Sequence, residues 1–354
     1  MDRRRSIQAH EVVGAWGKIL TGKVPFLSIE ITRECPLSCP GCYAYGDTHL
    51  GGEVTLRDLT DLRGDELVEG VVDVVKRHKP MHVSLVGGEP LVRHRELSKI
   101  LPRLSKMNVF SMVVTSAVIP VPLEWMTIPR VRVAVSIDGL PEHHDVRRKP
   151  ATYEKILKNI EGCSVNIHWT ITQPMMERAG YLEEYIAFWN ARPEVNKIWA
   201  SLYTPQIGEQ TPEMLSPEQR HRVSRELPEL AKRYPKLLMP EGVGHAFTAP
   251  PATPKDCVFA QMSVNYSADL TSRVEPCIFG GNPDCTQCGC AASVGLKWLG
   301  DIPLGLGLKP GHIMRSSIAV GAFMRKLSPR APEGVRWAPP PEPESKPGLV
   351  QLKS

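Results

Sequence analysis

CPLSCPGCY, from Cys35 to Tyr43, gathers three of the chain's nine cysteines into a C-x3-C-x2-C loop with two prolines and a glycine between them. Three thiolates cannot saturate a four-coordinate metal, and the loop has no histidine to act as a fourth ligand. Structural zinc sites are closed by four protein ligands. An incomplete set therefore points to a [4Fe-4S] cluster held by Cys35, Cys39 and Cys42, with one iron left open for a substrate or cofactor. Turn-forming residues suit a tight loop wrapped around such a cluster. A zinc loop is the alternative.

On either side of this loop, β-branched apolar runs alternate with amphipathic stretches. Strands are predicted at residues 26–32, 82–86, 109–115, 131–137, 165–172 and 195–203. The segments between them, such as DELVEGVVDVVKRH and YLEEYIAFWNAR, repeat apolar residues every three or four positions, as helices do. The third connection, VIPVPLEWMTIPR, is too rich in proline for a long helix. Six strands joined by crossovers imply a parallel sheet, and the fold class is α/β, a partial (β/α)6 TIM-type barrel with a C-terminal cysteine-rich extension. Polar and glycine residues collect at the C-terminal strand ends, where such barrels assemble their sites.

The chain has 354 residues, 42% hydrophobic and 23% charged, with a net charge of +5, an ordinary globular balance in which nucleic-acid binding is not indicated. No apolar run approaches the ~18 to 20 residues that span a bilayer. Grouped cysteines in a chain of this size favour metal or cluster ligation over disulfides, and a cytoplasmic location is expected. Cys163, alone in the sequence, reads as a buried thiol.

The cysteine loop after the first strand resembles the signature of the radical S-adenosylmethionine (radical SAM) superfamily, over roughly residues 24–205. Gly87, Gly88, Glu89 and Pro90 match the family's GGEP segment, which the resemblance assigns to the methionine ammonium; a carboxylate and backbone carbonyls can receive one. Ser136 to Gly139 looks like the SIDG segment, with Ser136 and Asp138 implied at the ribose. Thr115 and Ser116 stand where relatives carry Thr-Asn-Gly, and Thr170 ends the fifth strand. Arg148, beside Arg147, is a candidate for the methionine carboxylate, with solvated surface arginines as the alternative. Gly41 stands where the family has an aromatic residue, and Tyr43 is the candidate to replace it at the adenine.

The activity implied is reductive cleavage of S-adenosylmethionine at the cluster to a 5'-deoxyadenosyl radical, which abstracts hydrogen from a substrate, an oxidoreductase or transferase type of reaction. The electron donor implied is a flavodoxin or ferredoxin. The alternative is a non-catalytic iron–sulfur or zinc protein that carries electrons or scaffolds a partner. No catalytic side chain is assigned. Gln173, Tyr203 and Gln206, near strand ends, are candidate substrate contacts, and His168 and Trp169 face either the barrel cavity or the core.

Cys257, Cys277, Cys285, Cys288 and Cys290 form a second group. YSADLTSRVEPC reads as a β-hairpin ending in Pro-Cys, and the region is similar to the SPASM and twitch auxiliary-cluster domains, without their full cysteine set. One auxiliary [4Fe-4S] cluster is expected, with Cys257, Cys277, Cys285 and Cys288 preferred and Cys290 as a substitute ligand. Zinc is the alternative.

The expected domains are an N-terminal helical segment (1–23), the barrel (24–210), a helical linker (211–254), the auxiliary region (255–326) and a disordered proline-rich tail (327–354). In the first of these, Val12, Trp16, Ile19 and Leu20 form an apolar stripe expected to pack on the barrel, with a membrane surface or lipid substrate as the minor alternative. The short stretch before the first strand counts mildly against a peptide substrate. Small molecules, lipids and peptides all stay open.

Overall fold

In a computed structural model the protein is described over residues 9–52, 54–150, 152–303 and 309–327. Its strands are β1 (Phe26–Glu30), β2 (His82–Val86), β3 (Phe110–Thr115), β4 (Val131–Ser136), β5 (Val165–Ile171), β6 (Val195–Leu202) and β7 (Ser263–Tyr266). The helices are α1 (Ala9–Leu20), α2 (Gly64–His78), α3 (His94–Lys106), α4 (Pro141–Arg147), α5 (Tyr153–Asn159), α6 (Gln173–Met176), α7 (Tyr181–Ala191) and α8 (Pro217–Arg233). After these come α9 (Glu241–Ala246), α10 (Val258–Gln261), α11 (Ala291–Asp301) and α12 (Pro310–Leu327).

One sheet of order β6-β5-β4-β3-β2-β1-β7 runs parallel throughout. The expected α/β architecture with an open parallel sheet is thus present. Strands in such a sheet are covered on both faces, which is why these segments read as near-continuous apolar runs. Four of the six expected strands, β1, β4, β5 and β6, end one or two residues early, because residues such as Thr32 and Thr172 leave the ladder to build the rim. The proline-rich third connection contains only one short helical turn, Leu123–Thr127.

The seventh strand is a correction to the six-strand expectation. The hairpin turn does form: Ser267 N–H donates to Ser272 O at 2.9 Å, and Val274 N–H to Asn265 O at 3.1 Å. Its first arm, however, pairs in parallel with β1, from Phe26 opposite Ser263 to Ile29 opposite Tyr266. β1 would otherwise present an unpaired edge.

Helix α8 starts at Pro217 because Ser216 caps it: Ser216 Oγ accepts from Gln219 N–H, and Gln219 Oε1 accepts from Ser216 N–H. Trp169 faces the helical layer rather than the cavity. It is fully buried, stacks on Tyr185 of α7 with ring centroids 4.0 Å apart, and directs its indole N–H at the Met175 sulfur. His168 lies on the opposite face of β5. Cys163 is buried, as expected.

Helix α1 packs through Trp16 and Ile19 against Val258, Met262 and Met314, so its partners include α10 and α12. The approach to α12 is so close that a Cβ on Gly321 would lie 2.0 Å from the Ile19 carbonyl. Leu20 is exposed and leaves the expected stripe, and the Val12 side chain lies outside the described residues. No helix among the described residues is long and apolar enough to cross a membrane. Leu327, expected to open the tail, instead ends α12; residues 328–354 lie outside the described residues.

Replacing Trp169 by Ala should cost about 3–5 kcal/mol through the cavity it leaves. Denaturant unfolding of the two proteins measures this as a lowered midpoint.

Candidate active site

The cysteine loop is fixed at its base before its first thiol. Asp61 accepts from the Thr32 hydroxyl at 2.5 Å and from Arg33 N–H at 2.7 Å, and pairs with Arg93 at 2.7 Å. From β2, Gly88 N–H donates to Thr32 O and Glu89 N–H to Glu34 O, each at 2.8 Å. A Cβ on Gly87 would lie 2.7 Å from Thr32 O, and one on Gly88 2.3 Å from Glu34 O, so only glycine fits. The GGEP segment is thereby locked against the cysteine loop.

Cys35, Cys39 and Cys42 follow, half-buried and none of them in a disulfide. Burial pushes the Cys35 thiol up to about 11 and raises that of Cys39, where Arg148 works in the opposite direction. Gly41 has φ +64° and accounts for the missing aromatic, because a side chain there is strained in the left-handed region. Tyr43 remains 42% exposed, its ring 5.7 Å from those of both His49 and Phe279.

Glu89 is buried and its carboxylate is fully used. It accepts from Leu91 N–H at 2.9 Å, Thr115 Oγ1 at 2.5 Å, Ser116 N–H at 2.8 Å and the Ser116 hydroxyl. A carboxylate has about four acceptor sites. Thr115 and Ser116 are thus bound to Glu89, whose acceptor sites they share with Leu91 N–H.

The SIDG segment is organised by ion pairs. Asp138 Oδ2 accepts from Arg147 at 2.6 Å and Arg148 at 2.8 Å, while Oδ1 accepts from Thr170 N–H at 3.2 Å. Arg147 also pairs with Glu213 at 2.7 Å. The arginine side chains are only 17% and 21% exposed, which overturns the surface alternative. Burial by itself would raise the Asp138 carboxyl, but Arg148 and Arg147 outweigh it and hold the group well below the usual carboxylate range. His168 Nε2 stands 3.0 Å from Ser201 Oγ, and burial lowers its pKa. Of the candidate substrate contacts, Tyr203 donates its hydroxyl to Glu209 at 2.6 Å, Gln206 Oε1 accepts from Asn282 N–H at 2.6 Å, and Gln173 opens α6.

The five C-terminal cysteines, none of them in a disulfide, line one cavity between α10, the Cys277 loop and the start of α11. Burial pushes the thiols of Cys285 and Cys290 up to about 12. Cys257 Sγ accepts from Ala260 N–H at 3.4 Å and lies 3.2 Å from Ser293 Oγ. The segment carrying the last three is laid across the end of β6. Leu202 N–H donates to Gly289 O and Gly289 N–H to Thr204 Oγ1, both at 2.9 Å, and Asp284 N–H donates to Pro205 O at 2.8 Å. A Cβ on Gly289 would lie 2.1 Å from Leu202 O. Among the described residues, no group of three or more His, Cys, Asp or Glu is arranged to hold a single metal ion.

Two contacts were not legible in the sequence. His49 joins the two cysteine regions, with Nε2 2.7 Å from Glu30 Oε1 and Nδ1 3.0 Å from Phe279 O, and Ser267 donates its hydroxyl to the other Glu30 oxygen. A charged residue in a buried parallel strand was the available signal at Glu30. Arg220, from α8, donates to the carbonyls of Gln287 and Cys288.

The profile of the Radical SAM superfamily matches residues 29–176, from β1 to the end of α6. This segment is a radical SAM domain. The fold is similar to those of solved structures over most of this chain. SuiB of Streptococcus suis, bound to its precursor peptide SuiA, superposes with a TM-score of 0.53 at 11% identity, over 80% of this chain and 67% of SuiB. The protein anSMEcpe with bound AdoMet superposes with a TM-score of 0.53 at 15% identity, over 86% of this chain and 99% of that one. At such identities the likeness is one of fold. No curated protein matches the chain in sequence.

Glu89→Gln places an amide NH2 among donors, and should destabilise the radical SAM domain by about 1–3 kcal/mol in urea unfolding. Asp138→Asn leaves the buried Arg148 guanidinium without its carboxylate, while Arg147 keeps Glu213, and should cost about 3–5 kcal/mol at neutral pH. Because the folded Asp138 pKa is depressed, its contribution is complete above the ordinary value of ~3.9 and is lost as pH falls towards the folded value. The stability gap between wild type and Asp138→Asn should therefore hold from pH 5 to 8 and shrink below about pH 4.

Proposed function

We propose that the protein is an enzyme that binds S-adenosylmethionine at a [4Fe-4S] cluster held by Cys35, Cys39 and Cys42, and that it holds a second iron–sulfur cluster among its C-terminal cysteines. The carrying observation is the three-cysteine loop of a radical SAM domain locked against the GGEP backbone by glycines that admit no Cβ. When bound, the cluster and S-adenosylmethionine supply one-electron cleavage of the sulfonium and removal of hydrogen from an unactivated carbon.

The chain's own residues bind and orient. The backbone of Gly87 to Pro90 receives the methionine ammonium, with Glu89 held rigid by Thr115 and Ser116. Arg148 spends Nε on Asp138 and offers its terminal NH groups to the methionine carboxylate. Asp138 is then a positioning residue for Arg148, and Ser136 and Thr170 are left to face the ribose. Tyr43, exposed beside Cys42, takes the adenine.

Cys257, Cys277, Cys285 and Cys288 are the proposed auxiliary ligands, with Cys290 as substitute. Five thiols around one cavity support a polynuclear cluster, whose four irons take several thiolates. A flavodoxin or ferredoxin is the proposed class of electron donor. Among small-molecule, lipid and peptide substrates, likeness of fold to SuiB supports a peptide.

Anaerobic reconstitution with iron, sulfide, dithionite and S-adenosylmethionine should yield 5'-deoxyadenosine. Cys39→Ala should abolish the product, whereas Cys285→Ala should retain part of it. A reconstituted wild-type protein that forms none under any reducing condition would sink this reading.

A further inference from the structure

Arg220 is an expensive residue in its position. Its side chain leaves α8 and is buried, with 8% of the residue exposed. Nη1 donates to Gln287 O at 3.0 Å, and Nη2 donates to Phe247 O and Cys288 O, both at 2.9 Å. All three acceptors are neutral carbonyls, and among the described residues no carboxylate pairs with it. Burying a cation without a counter-charge costs several kcal/mol even after relaxation. Three carbonyls can be satisfied by neutral amide donors, so hydrogen bonding alone does not call for a charge.

The charge is accounted for by what lies on the other side of the Cys288 carbonyl. Two of the three carbonyls that hold Arg220, those of Gln287 and Cys288, belong to the segment whose Cys285, Cys288 and Cys290 line the cysteine cavity. A four-iron cluster with four thiolate ligands has a formal charge of about −2, and about −3 after taking up one electron. A fixed cation beside it stabilises the reduced state more than the oxidised state, which raises the reduction potential.

We propose that Arg220 is the counter-cation of the auxiliary cluster, a positioning residue that clamps the Gln287–Cys288 turn and sets the potential of the cluster bound beside it. This rests on the auxiliary-cluster reading above.

The test uses the full chain, reconstituted anaerobically, as wild type, Arg220→Gln and Arg220→Lys. Iron is counted and each cluster is titrated potentiometrically with detection by electron paramagnetic resonance. Wild type should carry roughly eight irons in two distinguishable signals. Arg220→Gln, which keeps donors but loses the charge, should lower the auxiliary midpoint by at least about 59 mV, a tenfold fall in the ratio of reduced to oxidised cluster for one electron. The signal of the S-adenosylmethionine-binding cluster should stay in place, and Arg220→Lys should restore most of the auxiliary shift. Two clusters with an unmoved auxiliary midpoint in Arg220→Gln overturn the proposal and leave the auxiliary-cluster reading intact. A wild-type protein with a single cluster overturns both. Should Arg220→Gln lose its second cluster, Arg220→Lys decides: a midpoint near wild type supports the charge, and one lowered by about 59 mV or more overturns it.

Discussion

The backbone of Gly87 and Gly88 lies so close to Thr32 and Glu34 that neither glycine has room for a methyl group. This contact joins the end of β2 to the start of the cysteine loop, and the remaining rim is built outward from it. Glu89, next in sequence, collects donors from Thr115 and Ser116 at the end of β3. Asp138, after β4, collects Thr170 N–H from β5 and the two arginines around α4. Each junction uses a group that is costly to bury unpaired, so the rim has one satisfied arrangement and the strand ends are held in register with it.

The cysteine-rich segment works at the other end of the sheet order. It leaves β7, which pairs with β1, and its last three cysteines rest on β6, at the opposite edge. The same stretch that lines the second cavity therefore spans the open side of the sheet. His49 ties it to the first loop through Glu30 and Phe279, so the two cysteine regions share one buried polar connection.

Much of this was legible in the sequence because its causes are local. The six barrel strands are runs of β-branched residues, and the three-cysteine loop and GGEP are short motifs whose chemistry depends on spacing. β7 was not legible as a parallel strand. Ser263–Tyr266 is four residues long with two polar positions, and only the exposed edge of β1 makes it a strand. Thr115 and Ser116 end a legible strand, yet their partner, Glu89, is set by three-dimensional packing. Asp138 carries a recognisable motif, but its bonding to Arg147 and Arg148 depends on the turn into α4. His49 and Arg220 lie in unremarkable stretches; their meaning comes from carbonyls and carboxylates that the fold delivers from distant parts of the chain.

The pairing of β1 with β7 also constrains how the chain is made. Glu30 and Ser267, which touch at the end of this pair, are separated by 237 residues. Contacts of such long range form late and slow folding. During synthesis from the N-terminus, β1 emerges early and keeps one backbone edge unpaired until most of the chain has left the ribosome. A nascent or prematurely ended chain is thus a six-stranded sheet with an exposed parallel edge, the kind of surface that invites aggregation and engages chaperones.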